Sequence, residues 1–357
     1  MKMKMDVVYT YVDGSNPEWL QQYAAATNIP LSDIRFLDHG ELVFALSLLR
    51  AHCDAWVRHV YVVHAGPGIK TDTMAAIQRL FPGRLRTVPQ SDIVVGGPTF
   101  SSCTVEANLW RLPGLSDPFV YSNDDMAFGR PFALSRYFVG ELPWIDCSAV
   151  PASHETCNMS QQHNENAWRL FKSKFPYSRI PHVHVSHFPS VMSVAGCKRT
   201  WQIFGDELAA APLIRCDTTI NFQLLAALVT IEAGLGKLRT RAHLPPHSLA
   251  RAFVEMQPEG LAHILRQRPH FFCVNGVNRE NARLFHEFCR QFLQNKGKAP
   301  TITRWTWSPD QDLPHLRDCQ RKLGDDRGVH HLHSVPANAR RPETPFVSDC
   351  ARADPDS

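Results

Sequence analysis

The sequence predicts an α/β protein in which a largely parallel sheet is flanked by helices, with a more helical C-terminal half. Short β-branched and aromatic segments that end in turn residues recur along the first 130 residues. Segments with apolar residues at helical spacing lie between them. Strands that alternate with helices are typical of a parallel sheet. A chain of 357 residues is long enough to bury a sizeable core around it.

The first strand is DVVYTYV, residues 6–12, which stops at the Asp13-Gly14 turn signal. The later predicted elements of this half are a helix at 41–53, a strand at 57–66, a helix at 71–80, a short strand at 84–88, a helix at 104–112 and a strand at 118–125. Because the strands are parallel, ligands are expected beyond their carboxyl ends.

After residue 130 the pattern weakens. It still predicts strands at 182–188 and 271–275, and helices at 191–211, at 217–232 with Asp217 as the cap, and at 279–294. From about Lys296 the chain is rich in Pro, Arg, His and Asp. We therefore expect a single catalytic domain at 1–295 and a loosely packed or partly disordered tail at 296–357. Its HHLH cluster, 330–333, has a metal-binding composition only.

Composition places the chain among ordinary globular proteins. A net charge of +4 does not indicate a nucleic-acid partner, although it allows a basic groove for an anionic substrate. The ten cysteines form no CxxC pair, which favours reduced thiols over disulfides. No apolar segment reaches transmembrane length, and the apolar run after MKMKM is too short for a signal peptide. We expect a cytoplasmic protein.

The stretch VYSNDDMAFG, residues 120–129, carries the first candidate site. An apolar strand ends there in Asn123, Asp124 and Asp125, as the first strand ends in Asp13. Adjacent carboxylates at a strand end suit Mg²⁺, or Mn²⁺ as the alternative, held against a diphosphate. The other interpretation is a turn in which Asn and Asp accept hydrogen bonds from backbone amides.

Three further segments offer chemistry. Glu106 lies early in a predicted helix, where the helix dipole alone would also explain a carboxylate. In HVHVSHF, His182 and His184 share one face of a strand and His187 lies on the other, which argues against one zinc ion for all three and favours a single catalytic histidine. Arg215 precedes a predicted helix and could clamp a phosphate. No Walker loop or GxGxxG sequence is present.

Taken together, these segments resemble the Stealth family of sugar-1-phosphate transferases. The family pattern DVVYTWVDGSDPEW is matched by DVVYTYVDGSNPEW at 6–19, and RFRDNGELRYSLRS by RFLDHGELVFALSL at 35–48. PTFSSCTVE ends at Glu106, and FVYSNDDMAFG matches the family's NDDMFFG segment. His187-Phe188-Pro189 with Arg215 fits a later block that pairs a histidine with an arginine.

Three positions depart from the family pattern. Leu37 replaces an arginine and His39 an asparagine in the second block. In the last block, Cys273-Val274-Asn275-Gly276, glycine replaces an aspartate. The resemblance covers most of residues 6–290, and contacts at these three positions are expected to differ from those of relatives.

The resemblance implies a Rossmann-like sheet of the glycosyltransferase-A type. It also implies transfer of a hexose-1-phosphate, usually of an N-acetylhexosamine, from a UDP-sugar to a hydroxyl of a growing capsular glycan, with release of UMP. The alternatives are a conventional glycosyltransferase that releases UDP, a UDP-sugar hydrolase, and a non-catalytic subunit that binds a sugar nucleotide or glycan. Capsule synthesis implies peripheral contact with the inner membrane or the assembly machinery.

The resemblance implies functional roles for four residues: His187, Arg215, Glu106 and Asp125. We expect His187 to be the base, with Glu106 as second base or orienting partner, and Arg215 to steady the phosphates. The expected metal ligands are Asp124, Asp125 and Asn275. The expected substrate-binding residues are Asp13, Gly14, Arg35, Asp38, Glu41, Asn123 and Asn275.

Overall fold

The computed structural model describes residues 3–27, 36–150, 158–185, 187–240 and 251–294. Its first half alternates strands and helices as predicted. The elements are β1 (Met5–Tyr11), α1 (Pro17–Thr27), α2 (Glu41–Cys53), β2 (Val57–His64), α3 (Thr71–Leu80), β3 (Leu85–Pro89), α4 (Ser102–Asn108), β4 (Phe119–Asn123) and β5 (Met126–Phe128).

The second half contains longer helices and shorter strands. Its elements are β6 (Phe138–Val139), β7 (Leu142–Ala149), α5 (Met159–Lys174), β8 (Val183–Val185), β9 (Ser190–Met192), α6 (Val194–Ala209), α7 (Phe222–Glu232), β10 (Lys237–Arg239), β11 (Arg251–Glu255), α8 (Pro258–Gln267), β12 (Phe271–Asn275) and α9 (Ala282–Gln294).

The main sheet has five strands in the order β3-β2-β1-β4-β9. The first four are parallel, and β9 runs antiparallel to β4 at the edge. An order in which the chain moves outward from β1 to β3 and then returns to the other side of β1 is that of a Rossmann-like sheet. The predicted α/β class and largely parallel sheet are confirmed.

Strand β1 supplies both faces of the core. Val7 and Tyr9 point to one side, where they pack with α2 and α9, and Val8 points to the other side, where it packs with α6 and α7. All three side chains are fully buried. Because successive side chains of a strand alternate, a strand covered on both faces has a continuous apolar sequence. This accounts for the run DVVYTYV.

Two smaller sheets carry the later strands. One has the order β10-β7-β6, with β8 also paired to β7, and the other has the order β11-β12-β5. Strand β5 follows β4 after a two-residue turn but leaves the main sheet and pairs antiparallel with β12, with Phe128 opposite Phe271 and Met126 opposite Cys273. The C-terminal part of the described chain is thereby brought to the acidic turn.

Several predicted boundaries are wrong for identifiable reasons. Helix α7 begins at Phe222 and is capped by Asn221, whose side chain accepts a hydrogen bond from the Leu224 amide, so Asp217 is not the cap. The helix predicted at 191–211 begins at Val194, because residues 190–192 form an edge strand. Helices α1, α5 and α8 were not predicted, although the sequence of α8 places Leu261 and Ile264 at helical spacing on its buried face.

Two sequence predictions concern residues outside the described ranges, namely Arg35 and the tail at 296–357. The described cysteines, Cys53, Cys103, Cys147, Cys197, Cys216, Cys273 and Cys289, are all free thiols. Within the described ranges, no helix has both the length and the apolar character needed to cross a membrane.

An ion pair anchors the start of β1. Asp6 is fully buried, and its carboxylate accepts hydrogen bonds from Arg58 Nε at 2.8 Å and from the amides of His59 and Ser116 at 3.0 and 2.8 Å. Burial alone would raise the pKa of Asp6, but the hydrogen bonds and the Arg58 charge outweigh it and lower the pKa. Asp6 is therefore ionised in the folded protein.

We predict that Asp6→Asn lowers the free energy of unfolding at pH 7 by about 1–3 kcal/mol, because a buried charged acceptor is lost. A carboxyl whose pKa is lowered by folding contributes stability that is present above its unfolded pKa of about 4 and is lost as pH falls through the lower folded value. The difference in unfolding free energy between the variant and the parent, measured by urea unfolding, should therefore shrink at acid pH.

Asp54→Asn is the control, because that carboxylate is 39% exposed in its pair with Arg84. It should cost at most about 1 kcal/mol. Equal losses in both variants, or a difference that does not change with pH, would contradict this account.

Candidate active site

The acidic turn lies where the sequence predicts it. Asp124 and Asp125 form the two-residue turn between β4 and β5, at the carboxyl end of β4. Strand β4 is parallel to β1, with Asn123 opposite Thr10, so Asp13 emerges at the same edge of the sheet. This is the edge where ligands bind in parallel α/β sheets.

Asp125 has a distinctive set of neighbours. Its Oδ2 atom accepts a hydrogen bond from the Cys273 thiol at 3.2 Å and lies 3.6 Å from Nε2 of His187. Its Oδ1 atom is buried and has no hydrogen-bond partner among the described residues. A buried carboxylate oxygen without a donor is costly unless a cation or a ligand approaches it.

His187 lies between β8 and β9, with 43% of its side-chain surface exposed. Its ring lies 5.8 Å from the ring of Phe253, a large apolar side chain that is itself 49% exposed. Partial desolvation lowers the pKa of His187, but the adjacent Asp125 carboxylate and then the Glu106 charge raise it above its usual value, against the opposing charge of Arg215. An exposed imidazole oriented by a carboxylate is an arrangement that can accept a proton from a substrate.

Glu106 is buried in α4. The hydroxyl of Tyr121 donates to its Oε1 atom at 3.1 Å, and the Gln223 amide donates to its Oε2 atom at 3.2 Å. Burial raises the pKa of Glu106, and the two hydrogen bonds, Arg215 and His187 offset only part of that rise. A glutamate with a raised pKa can hold or release a proton nearer to neutral pH than an exposed one.

Arg215 lies in the segment between α6 and α7 and is exposed. The segment is held by Leu213, whose carbonyl accepts a hydrogen bond from the Phe100 amide at 2.9 Å. The guanidinium charge acts on the pKa of both Glu106 and His187, so Arg215 belongs to the same site. An exposed guanidinium here can contact the oxygens of a phosphate.

Two more carboxylates flank the turn. Asp38 accepts a hydrogen bond from the Tyr11 hydroxyl at 2.7 Å, and Glu41 accepts one from the His39 amide at 2.6 Å. Burial, followed by the charges of Asp38 and Asp124, raises the pKa of Glu41 well above its usual value. Burial, followed by Asp125 and Asp38, does the same for Asp124. These carboxylates concentrate negative charge that a cation would neutralise.

Asp13 and Gly14 fix the turn that follows β1. Asp13 Oδ1 accepts hydrogen bonds from the amide and hydroxyl of Ser15 at 3.0 and 2.7 Å and lies 3.2 Å from Nζ of Lys70. The Gly14 amide donates to the Phe36 carbonyl at 2.7 Å, and a Cβ on Gly14 would lie 2.2 Å from that oxygen. Only glycine fits at this close approach.

The last matched block reaches the turn through β12. The Val274 amide donates to the Asp125 carbonyl at 3.4 Å, which places the backbone of Asn275 beside the turn. Gly276 follows with φ of +80° and, as a glycine, provides no carboxylate at the position where the family pattern has an aspartate. Asn123 lies on the other side, with its Oδ1 atom 2.5 Å from the Tyr121 hydroxyl.

The structure therefore brings His187, Asp125, Glu106 and Arg215 into one site, with Asp38, Glu41 and Asp124 beside it. Sequence reasoning missed four contacts. Cys273 lies in the family-like segment at 273–276, and Tyr121 lies two residues before Asn123 on the same face of the strand. Both contacts could therefore have been predicted from the sequence. Gln223 and Phe253 left none, because their roles depend on how distant segments pack.

The donors around Asp125 suit two kinds of metal. The carboxylates of Asp124 and Asp125, with the orphaned Oδ1 atom, suit a hard cation such as Mg²⁺ that also binds phosphate oxygens. Asp125, His187 and Cys273 also offer three ligand atoms that lie within 4.8 Å of one another, and nitrogen and sulfur donors suit Zn²⁺. The residues present thus fit a divalent cation.

Comparisons with known proteins find one matching family region and several similar phosphotransferases. A model of Stealth protein CR2, conserved region 2, matches residues 35–143. Capsular polysaccharide phosphotransferase LcbA of Neisseria meningitidis is 27% identical over 301 residues, 78% of this chain and 78% of that protein. Exopolysaccharide phosphotransferase SCO2594 of Streptomyces coelicolor is 26% identical over 79% of this chain and 48% of its own length. A capsular polysaccharide phosphotransferase of N. meningitidis serogroup B is 27% identical over 57% of each chain. The chain thus spans about three quarters of the first relative and about half of the other two.

Solved structures with a similar chain path are glycosyltransferases. The galactosyltransferase LgtC, in complex with donor and acceptor sugar analogues, is 15% identical with a TM-score of 0.42 over 84% of this chain and 98% of its own. Mouse xyloside xylosyltransferase 1 is 10% identical with a TM-score of 0.37 over 76% of this chain and 98% of its own. Alignments this weak carry no argument about the site. The chain thus contains a Stealth conserved region at 35–143 and is similar over more than three quarters of its length to two phosphotransferases.

Proposed function

We propose that this protein transfers a hexose-1-phosphate, with an N-acetylhexosamine as the expected sugar, from a UDP-sugar to a hydroxyl of a capsular glycan. The relatives, which are named capsular and exopolysaccharide phosphotransferases, support sugar-phosphate transfer in capsule synthesis. One observation carries the proposal to this chain. His187, which is partly exposed, lies against the Asp125 carboxylate of the acidic turn. The charges of buried Glu106 and exposed Arg215 both act on the pKa of its imidazole ring.

The proposed reaction forms one P–O bond and breaks another. The acceptor oxygen attacks the β-phosphorus, which carries the sugar, and the bond from that phosphorus to the bridging oxygen breaks, so that UMP leaves. Such a transfer depends mainly on positioning and on neutralising the charge of the phosphoryl oxygens. The exposed guanidinium of Arg215 supplies one positive charge at the site.

His187 is the proposed base that takes the acceptor proton at Nδ1, the ring nitrogen that does not face Asp125. Asp125 orients the ring through its Oδ2 atom. Glu106 is fixed by Tyr121 and Gln223 and acts on His187 through its charge. The exposed face of Phe253 beside His187 gives the acceptor sugar an apolar surface to pack on.

Asp124, Asp125 and Asn275 would hold Mg²⁺, or Mn²⁺, on the donor diphosphate. The cation would supply charge neutralisation for the phosphate oxygens. The orphaned Oδ1 atom of Asp125 and the clustered carboxylates support this assignment. The cytoplasmic location and peripheral contact with the inner membrane stay predictions, as do the substrate contacts at Asp13, Gly14, Arg35, Asp38, Glu41, Asn123 and Asn275.

The nucleotide product tests the reaction. Incubation with a panel of UDP-sugars, Mg²⁺ and capsule oligosaccharide acceptors should release UMP only when both the donor and an acceptor are present. Release of UDP would show attack at the sugar carbon by a conventional glycosyltransferase. Release of UMP without an acceptor would show a hydrolase, and donor binding without turnover would show a binding subunit. Each of these three results would contradict the proposal.

We predict that His187→Ala lowers kcat by about 10²- to 10⁴-fold, the usual cost of removing a general base. The KM for the UDP-sugar should change little, since His187 serves the acceptor. His263→Ala is the matched control, because His263 is exposed on α8 and no role in the site is assigned to it. Near-full activity of His187→Ala in a steady-state UMP assay would rule out this role.

We predict that Asp125→Asn removes most of the activation by Mg²⁺, because an amide oxygen is a weaker ligand for a hard cation than a carboxylate. UMP release would be measured across a titration of Mg²⁺, with Asp206→Asn, an exposed carboxylate on α6, as the control. An unchanged Mg²⁺ dependence would contradict the metal role. Activation by Zn²⁺ rather than Mg²⁺, abolished in Cys273→Ser, would assign the cation to the nitrogen and sulfur donors instead.

A further inference from the structure

A second cluster of metal-binding side chains lies apart from the residues used above. Glu165 projects from α5, and His182 and His184 flank Val183 at the start of β8. The Nε2 atom of His184 lies 2.8 Å from Oε1 of Glu165, and the Nε2 atom of His182 lies 2.9 Å from the same oxygen. Two imidazole nitrogens thus converge on one carboxylate oxygen.

The neighbouring contacts hold these groups in place. Strand alternation puts His182 and His184 on one face. Helix α5 is tied to β8 by Asn164, whose side-chain oxygen accepts a hydrogen bond from the Val185 amide at 3.2 Å. The ring of His182 stacks on Trp168, one turn along the helix from Glu165, with ring centroids 4.8 Å apart and planes inclined by 28°. The cluster is therefore preorganised by its surroundings.

Hydrogen bonding explains only part of this arrangement, because it accounts for the contact of His184 with Glu165 but not for that of His182. The Nε2 atom of His182 is buried, and despite its proximity to Glu165 it makes no hydrogen bond of good geometry within the described ranges. The three ligand atoms lie within 4.8 Å of one another, as the donors around a single ion do. Zn²⁺ binds imidazole nitrogen at about 2.0–2.1 Å and carboxylate oxygen at about 2.0–2.2 Å, and two histidines with one glutamate are a common ligand set for it.

We propose that Glu165, His182 and His184 bind one Zn²⁺ ion, with the fourth position left to water. Imidazole ligands favour Zn²⁺ over Mg²⁺, so this site differs in metal preference from the acidic turn. The side chains of Glu165, His182 and His184 are 17%, 34% and 12% exposed, so the ion would be reached from the surface yet largely enclosed. The inference goes beyond the proposed function and does not depend on it.

The proposed ion would also affect the chain around His187. It would join α5 to β8 at His184, three residues before His187. Three residues of extended chain span at most about 10 Å. His187 itself faces Asp125 and takes no part in the zinc site. Zinc would thereby stabilise the strand that precedes the proposed base in the chain.

The test is a zinc analysis of the full chain produced without a histidine tag. After loading with Zn²⁺ and desalting, elemental analysis should give one zinc per chain. His184→Ala and Glu165→Gln should each weaken zinc binding by more than the ~10- to 100-fold that loss of a supporting residue outside the ligand shell costs. Zn²⁺ should raise the unfolding temperature of the parent protein, and neither variant should show that rise. Glu165→Gln preserves the shape of the side chain and is informative if His184→Ala fails to fold.

The controls separate this site from other zinc ligands. His263→Ala tests for binding at an exposed histidine, and Cys273→Ser tests the donors beside Asp125; both should retain the zinc of the parent protein. Replacement by Co²⁺ should give the visible absorption of a four-coordinate site in the parent and in both controls. Absence of zinc from the loaded parent protein would overturn the proposal. So would loss of zinc in Cys273→Ser with retention in His184→Ala.

Discussion

The antiparallel pairing of β5 with β12 is the interaction on which the candidate active site depends. Strand β5 begins directly after Asp125, and its three residues are fully covered. The pairing sets Cys273 opposite Met126, so the thiol meets the Asp125 carboxylate. It also carries β11 with it, and with β11 comes Phe253 beside His187. Without this pairing, the Cys273 thiol would not reach the Asp125 carboxylate, and Phe253 would not lie beside His187.

Charge is distributed unevenly across the site. Burial, followed by neighbouring negative charges that include Asp38, raises the pKa of both Glu41 and Asp124, which is the sign of carboxylates held together without enough positive charge between them. On the other side, His187 and Arg215 face Glu106. A substrate that carries two phosphates and a cation would meet complementary charge on both sides.

Much of the first half could be predicted from the sequence, because a sheet covered on both faces needs long apolar strands and these are visible as runs such as 6–12 and 57–64. The placement of Asp124 and Asp125 followed from strand direction alone. The separation of His182 and His184 from His187 was predicted from a strand at 182–188, but the strand ends at Val185 and His187 lies at a bend beyond it. The second half was harder, because most of its strands are only three to five residues long. Contacts such as Gln223 with Glu106 join residues 117 positions apart, and no local pattern encodes them.

The short strand β8 sets a strict limit on how this region can vary in length. His184 turns toward α5 and His187 turns toward the acidic turn, so the segment between them serves two faces of the fold at once. Insertion or deletion of one residue between them would move His187 relative to β8, so either Glu165 or Asp125 would lose its histidine. Natural variation in this segment should therefore consist of substitutions, and changes of length should be confined to the loop that precedes β8.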